Sequence, residues 1–386
     1  MNKKVSLLIA LVMSLGISST TFAASTSTTS SENNTVITQS ATGTINLTLD
    51  DALNSIEKSN TAIKLLDQKI KLTNRQYDDA HQKALAIDTS GKSSVNYSGD
   101  SYAGVKIQQT VDPLQAGQNI DYAKHDRETK LKDLKVSLEK YYMDALNCQD
   151  QIKNINSTIE NIDKQIEQTN EKIGQGTVTS DAVDSLNLQK SQKLASLNSP
   201  QSQVQQDILN IKQILNIDLN SDLVLAPVKK DFVKYDDSKI EDIINTAAEN
   251  IYSIHKANNN IELLKMKADI YAKYYYVDNT NVLNSQLNLQ DAQNNLQDTI
   301  IQNKITLWQA YYAAKNYEDN IETEKVSVQS AQTKYDNTLA KFNMGQVDKL
   351  QVDSAKLVLD SEKITLQKAV NDYVVNVEAF VNQLTQ

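Results

Sequence analysis

Cysteine is all but missing from this chain. Cys148 stands alone, which excludes an intramolecular disulfide framework and a zinc cage built on thiolates. Three prolines and nine glycines in 386 residues leave too little punctuation for a many-stranded fold or a loop-rich enzyme. Histidine is scarce as well, and His81, His125 and His255 have no ligand-spaced partner in sequence. No G-x-S-x-G nucleophile elbow and no phosphate-binding glycine loop occurs. Asp50-Asp51 and Asp78-Asp79 read as helix-terminus and surface charges rather than as paired acids. The expectation is a protein that is not an enzyme and that needs neither cofactor nor metal. Basic charge is also short. The net charge is −9, and about −11 once Lys3 and Lys4 are removed, which argues against a nucleic-acid partner.

Long apolar runs are confined to the N-terminus. Lys3 and Lys4 precede the apolar stretch Val5–Ile17, and Ala23-Ala24 offer small residues for cleavage, so residues 1–24 read as a signal peptide. The stretch is too short for a membrane anchor of ~18 residues, and no cysteine follows it to carry a lipid. A Ser/Thr-rich tail is expected over 25–46, and the chain is expected to be exported.

What remains is rich in Asn, Gln, Lys, Asp and Ile, and it is patterned for helices. From Leu131 through Leu134, Leu138, Tyr141, Ala145, Cys148 and Ile152 to Ile173, apolar or small residues alternate in steps of three and four. A seam of period 3.5 held for six heptads predicts left-handed coiled-coil packing. Cys148 sits on that seam as a small apolar residue. Lys132, Asp133, Lys135, Glu139, Asn154, Glu160 and Lys164 read as a solvated face. A second seam runs through Leu49, Ile56, Ile63, Ile70 and Tyr77, with Thr48 and Asp51 placed to open it as a capping box.

The chain then repeats itself. A shift of about 190 residues carries the first seam onto Ile240, Ala247, Ile254, Ile261 and Ala268. A shift of 169 carries the long seam onto Leu307, Ala314, Tyr317, Ile321 and Tyr335, Gly176 onto Gly345, and Asp184-Ser185 onto Asp353-Ser354. The expected fold class is mainly α, built from duplicated, long, antiparallel coiled-coil hairpins with at most one short vestigial β-hairpin. The first repeat spans 47–217, with an insertion or short hairpin within 85–120. A linker covers 218–238, and the second repeat covers 239–386. The hairpin turns fall at Gly174–Thr177 and Asn343–Gln346, where glycine supplies the left-handed end of a helix and Ser180 or Asp348 caps the next one. Pro200 is expected to kink the first return helix.

Three stretches carry a family resemblance. They are Leu47-Thr48-Leu49-Asp50-Asp51-Ala52-Leu53, the turn Glu171–Val178, and the turn Ala340–Val347 followed by Gln351-Val352-Asp353-Ser354-Ala355. With their order, duplication and spacing, the chain resembles the TolC, or outer-membrane efflux protein, family. The resemblance implies a homotrimer forming an α-helical export tunnel under a β-barrel in the outer membrane. It further implies two helix tips per protomer that dock on a membrane-fusion adaptor, itself bound to an inner-membrane pump. Carried over, Gly176, Thr177, Val178, Gly345, Gln346 and Val347 are docking tips, or else plain turn residues. Asp348 and Asp353 are candidates for a tip gate, or else a cap and a surface charge.

The sequence departs from that family at the barrel. A spanning strand needs ~9–11 alternating residues, and the first repeat offers only Ser93–Tyr97 and Tyr102–Val111. In the second repeat, Tyr274–Val282 has room for a turn. Its tyrosine triplet reads as an interfacial belt or as packing at a helix end. The functional expectation is a passive duct in an export (efflux) system of the cell envelope. The alternative is an exported coiled-coil scaffold without a pore.

Overall fold

A computed structural model of the chain describes residues 44–93, 96, 101–275 and 279–385, so the expected signal peptide lies outside the described residues. The described part is overwhelmingly helical. The first repeat runs α1 (Leu49–Ser59), α2 (Thr61–Ala86), α3 (Ser101–Gly174), α4 (Asp181–Ser196) and α5 (Asn198–Leu215). The second runs α6 (Ile240–Asn250), α7 (Tyr252–Tyr274), α8 (Thr280–Asn343) and α9 (Lys349–Leu384). At ~1.5 Å per residue, the 74-residue α3 is about 110 Å long.

Helix ends follow the local chemistry. Thr48 Oγ1 accepts from Asp51 N at 3.1 Å and donates to Asp51 Oδ2 at 2.7 Å, so the capping box closes through the hydroxyl. Asn60 breaks α1 from α2. Its Oδ1 accepts from Ala62 N and Ile63 N, while its Nδ2 donates to Ile214 O at 2.8 Å, fastening the break to the end of α5. The first return helix is interrupted at Leu197, three residues before Pro200, where the kink was expected.

Three sequence expectations need correction. Tyr102–Val111 is not a strand but the start of α3. Its alternation was overruled by helical pairs, among them Thr110 Oγ1 donating to Lys106 O and Lys106 Nζ to Gln109 Oε1. The tail ends earlier than 46, because β1 (Ile45–Leu47) pairs in parallel with β2 (Leu223–Leu225) from the linker, Ile45 opposite Leu223. Ser180 makes no capping bond, whereas Asp348 does. The other strand candidate, Ser93–Tyr97, and the tyrosine triplet lie partly outside the described residues.

Packing orders the helices. Beside the first part of α3 the order of neighbours is α2, then α3, then α7, then α8, with α8 resting on α7. Toward the turns the sequence of neighbours is α4 and α5, then α3, then α9, then α8. The core repeats with the chain: Leu138 and Ile211 anchor the first cluster, and Leu307 and Phe380, their equivalents under the 169-residue shift, anchor a second. Tyr142, fully buried, shares its hydroxyl proton between Leu47 O at 2.8 Å and Ala226 O at 2.7 Å, which ties both strands to α3.

Candidate functional site

The two hairpin turns are the same structure built twice. Gly176 and Gly345 hold φ of +71° and +70°, a conformation that costs an L-residue with a Cβ. Gly176 N donates to Ile173 O at 2.9 Å and Thr177 N to Lys172 O at 3.0 Å; Gly345 N donates to Phe342 O at 2.8 Å and Gln346 N to Lys341 O at 2.9 Å. Both are Schellman-type closures. Gly176, Thr177, Gly345 and Gln346 are exposed, and Val178 and Val347 are half-buried at the start of the return.

The two carboxylates nearest the second turn are already engaged. Asp348 Oδ1 accepts from Gln351 N at 3.0 Å as the N-cap of α9. Asp353 pairs with Lys349 one turn away. Asp184 and Asp181 lie exposed in the first turn of α4.

Farther up the bundle, one charge expected on a solvated face, Glu139, turns out to be interior. Glu139 on α3 is buried and lies 2.9 Å from Lys230 Nζ of the linker. Burial pushes the Glu378 carboxyl on α9 up to about 7, and the neighbouring Glu139 adds to the shift while Lys230 and Lys135 oppose it. Asp207 on α5 is fully buried; its Oδ1 accepts from Gln203 Nε2 at 2.9 Å and its Oδ2 has no hydrogen-bond partner among the described residues. Its pKa is raised to about 6 by burial, with Asp144 adding and Lys140 and Lys368 opposing. Burial also raises the Cys148 thiol, which is half-buried on the seam.

The histidines sit on separate helices, but the fold brings two of them together. His125 stacks on Tyr252 with centroids 3.4 Å apart, and burial holds its pKa below the usual value. Tyr252 Oη donates to Asp121 Oδ2 at 2.8 Å, and His255 Nε2 lies 3.2 Å from the same oxygen. Beside them, His125, Tyr252, Lys256 and Asn303 line part of an open groove of about 550 Å³. Charges of both signs border it. Among the described residues, no group of His, Cys, Asp and Glu is arranged to hold a metal ion.

The feature that sequence reading missed is a polar ladder. Asn147 Nδ2 donates to Ile364 O at 2.9 Å, Asn154 to Leu357 O at 3.1 Å, and Asn161 to Leu350 O at 3.3 Å. Donors and acceptors are each seven residues apart, so α3 and α9 zip together antiparallel at heptad spacing. Ser354 and Gln165 close the far end on Asn161 Oδ1. Asn154 therefore belongs to a second, polar seam, and so is not a solvated residue. The period of seven in the asparagines was its only signal.

The outer edges of this layer carry exposed apolar side chains. On α8 these include Val326 at 70% exposure and Tyr312 at 58%; on α4, Leu188 at 60%. The equivalent of Tyr312 in the first repeat is Met143, which is 2% exposed because α3 has neighbours on both sides.

No helix among the described residues is long and apolar enough to cross a membrane. Residues 87–100 and 275–279, which join α2 to α3 and α7 to α8, are shorter than the ~18–22 residues of two spanning strands.

No protein-family model matches the chain, and no curated protein matches it in sequence. Solved structures do match in fold. The CmeC outer membrane channel of Campylobacter jejuni is 12% identical with a TM-score of 0.65, covering 87% of this chain and 85% of that one. The outer membrane protein VceC of Vibrio cholerae is 12% identical with a TM-score of 0.61, covering 87% and 94%. The open MtrE outer membrane channel of Neisseria gonorrhoeae is 12% identical with a TM-score of 0.57, covering 87% and 88%. The fold of this chain is therefore that of the TolC-like outer-membrane channels, in a form whose barrel insertions are reduced to residues 87–100 and 275–279.

Proposed function

We propose that the chain is the protomer of a trimeric export duct in the cell envelope, through which solute passes without chemistry at the wall. The observation that carries this reading is the pair of open edges, α8 on one side and α2 with α4 and α5 on the other, each lined by exposed apolar residues. Edges of that kind on one layer of helices join head to tail, and such contacts close into a ring when the rotation allows. The likeness to outer membrane channels supports a hollow ring over a solid bundle.

In this reading the turns at Gly176–Val178 and Gly345–Val347 are the docking tips for an adaptor that couples the duct to a pump. Their exposure and small residues let another helical tip pack close. The engagement of Asp348 as a cap and of Asp353 with Lys349 favours structural roles for both over a gate.

Light scattering on the purified mature protein, with negative-stain images of the same sample, tests the proposal. A trimer seen as a hollow cylinder is the expected result. An elongated monomer or dimer at micromolar concentration would overturn it in favour of an envelope scaffold.

A further inference from the structure

The polar seam between α3 and α9 exists once inside the chain, yet the chain carries its two halves twice. Under the 169-residue repeat, Asn147, Asn154 and Asn161 on α3 correspond to Asn316, Thr323 and Ser330 on α8. The accepting carbonyls of Ile364, Leu357 and Leu350 on α9 correspond to those of Ala195, Leu188 and Asp181 on α4. All six counterparts are exposed. The repeat holds along the return helices themselves, since Val204 and Ile211 are buried as their equivalents Tyr373 and Phe380 are. It does not hold at Ser202 and Gln206, which are exposed where Asn371, next in the heptad series after Ile364, and Val375 are buried.

The two uncovered faces are thus complementary to each other by the chain's own precedent. They lie on opposite edges of the layer, with α3 and α9 between them, so one copy cannot join them to itself. A second copy of this chain supplies the missing partner for each.

We infer that α8 of one chain docks on α4 of a second copy in the register of the α3–α9 seam, with Asn316, Thr323 and Ser330 facing the carbonyls of Ala195, Leu188 and Asp181. The inference rests on the ring reading and adds to it a residue-level register. Thr323 and Ser330 are shorter than asparagine, so the two helices approach more closely at those two rungs than α3 and α9 do. Thr323 Oγ1 is turned back onto Asp319 O at 3.1 Å in the isolated chain, and rotation about χ1 frees it for the neighbour.

Cysteine pairs test the register in the full mature chain carrying Cys148→Ala. Thr323→Cys combined with Leu188→Cys is the matched pair, and Thr323→Cys combined with Asp181→Cys or with Ala195→Cys is displaced by one heptad. Asn154→Cys with Leu357→Cys is the internal control, because those residues already face each other within one chain. A heptad is ~10.5 Å of helix, more than the ~7 Å that a disulfide tolerates between Cα atoms, so the matched pair should oxidise at least about tenfold faster than either displaced pair. The expected product is a covalent ladder ending at three chains. If the protein is oligomeric by light scattering, but a displaced pair links best or only the internal control links, the register is overturned and the ring stands. A monomer without cross-links between chains overturns the register and the ring together.

Discussion

Asn161 Nδ2 donates to the carbonyl of Leu350 at 3.3 Å, joining the long helix of the first repeat to the return helix of the second. The carbonyl belongs to the first turns of α9, and the donor is buried. Two more asparagines repeat the contact at seven-residue intervals. A seam made this way fixes register more strictly than an apolar one, because each rung misplaced by a residue buries an unpaired amide.

Asn154→Ala should therefore destabilise the chain by about 1 kcal/mol, the usual net worth of one such bond. Urea unfolding followed by far-ultraviolet circular dichroism measures it. An unchanged midpoint would mean that the rung contributes nothing beyond water.

The tips offer a paired comparison within one turn. Gly176→Ala places a Cβ on a residue at φ +71° and should cost ~1–2 kcal/mol, although no atom lies in the way. Gly174→Ala, two residues earlier at the end of α3 with equally open space, should be neutral or stabilise by up to ~1 kcal/mol. Equal effects on the denaturation midpoint would contradict the Schellman geometry.

Asp207 sets a pH dependence with a defined sign. Its folded pKa of about 6 lies above the ordinary 3.8, so its contribution is fully present below pH ~4 and is lost as pH rises through 6. Asp207→Asn should leave stability at pH 4 nearly unchanged and raise it at pH 8, by an amount on the order of 2–3 kcal/mol. The readout is the difference between mutant and parent unfolding free energies at the two pH values, which cancels the titration of every other group.

Glu378 should behave alike in a higher window. Its carboxyl is pushed up to about 7 by burial and by Glu139, so stability falls as pH rises from about 4.5 through 7. Glu378→Gln keeps a donor toward Glu139 and should flatten that part of the profile. A mutant whose melting temperature still drops between pH 5 and 8 as the parent's does would show that Glu378 is not the group titrating there.

Much of this was readable before any coordinates. The heptads of α3 placed Leu138, Ala145 and Ile162 in the interior, because burial of one face forces the apolar spacing. The tips were readable for a steric reason: only glycine takes φ near +70° at no cost, so its position after a heptad run marks the turn. Tyr102–Val111 misled because a few alternating residues fit a strand as well as a helix, and what decides between them is what the neighbouring chain packs against. Glu139 and Asn154 misled for a related reason. Polar side chains in heptad register look solvated until a second helix is found on that side.

By itself the sequence determined the heptad-patterned helices, their hairpin turns and the duplication, since each follows from local periodicity and from glycine, but not where α3 begins. Only the tertiary structure decided which helices are neighbours. That choice put α9, and not solvent, against the asparagine face of α3, buried Glu139 and Asp207, and left α8 and α4 uncovered. It depends on contacts between residues some 150 to 220 positions apart, such as Asn60 with Ile214 and Asn147 with Ile364, whose pairing no local pattern encodes.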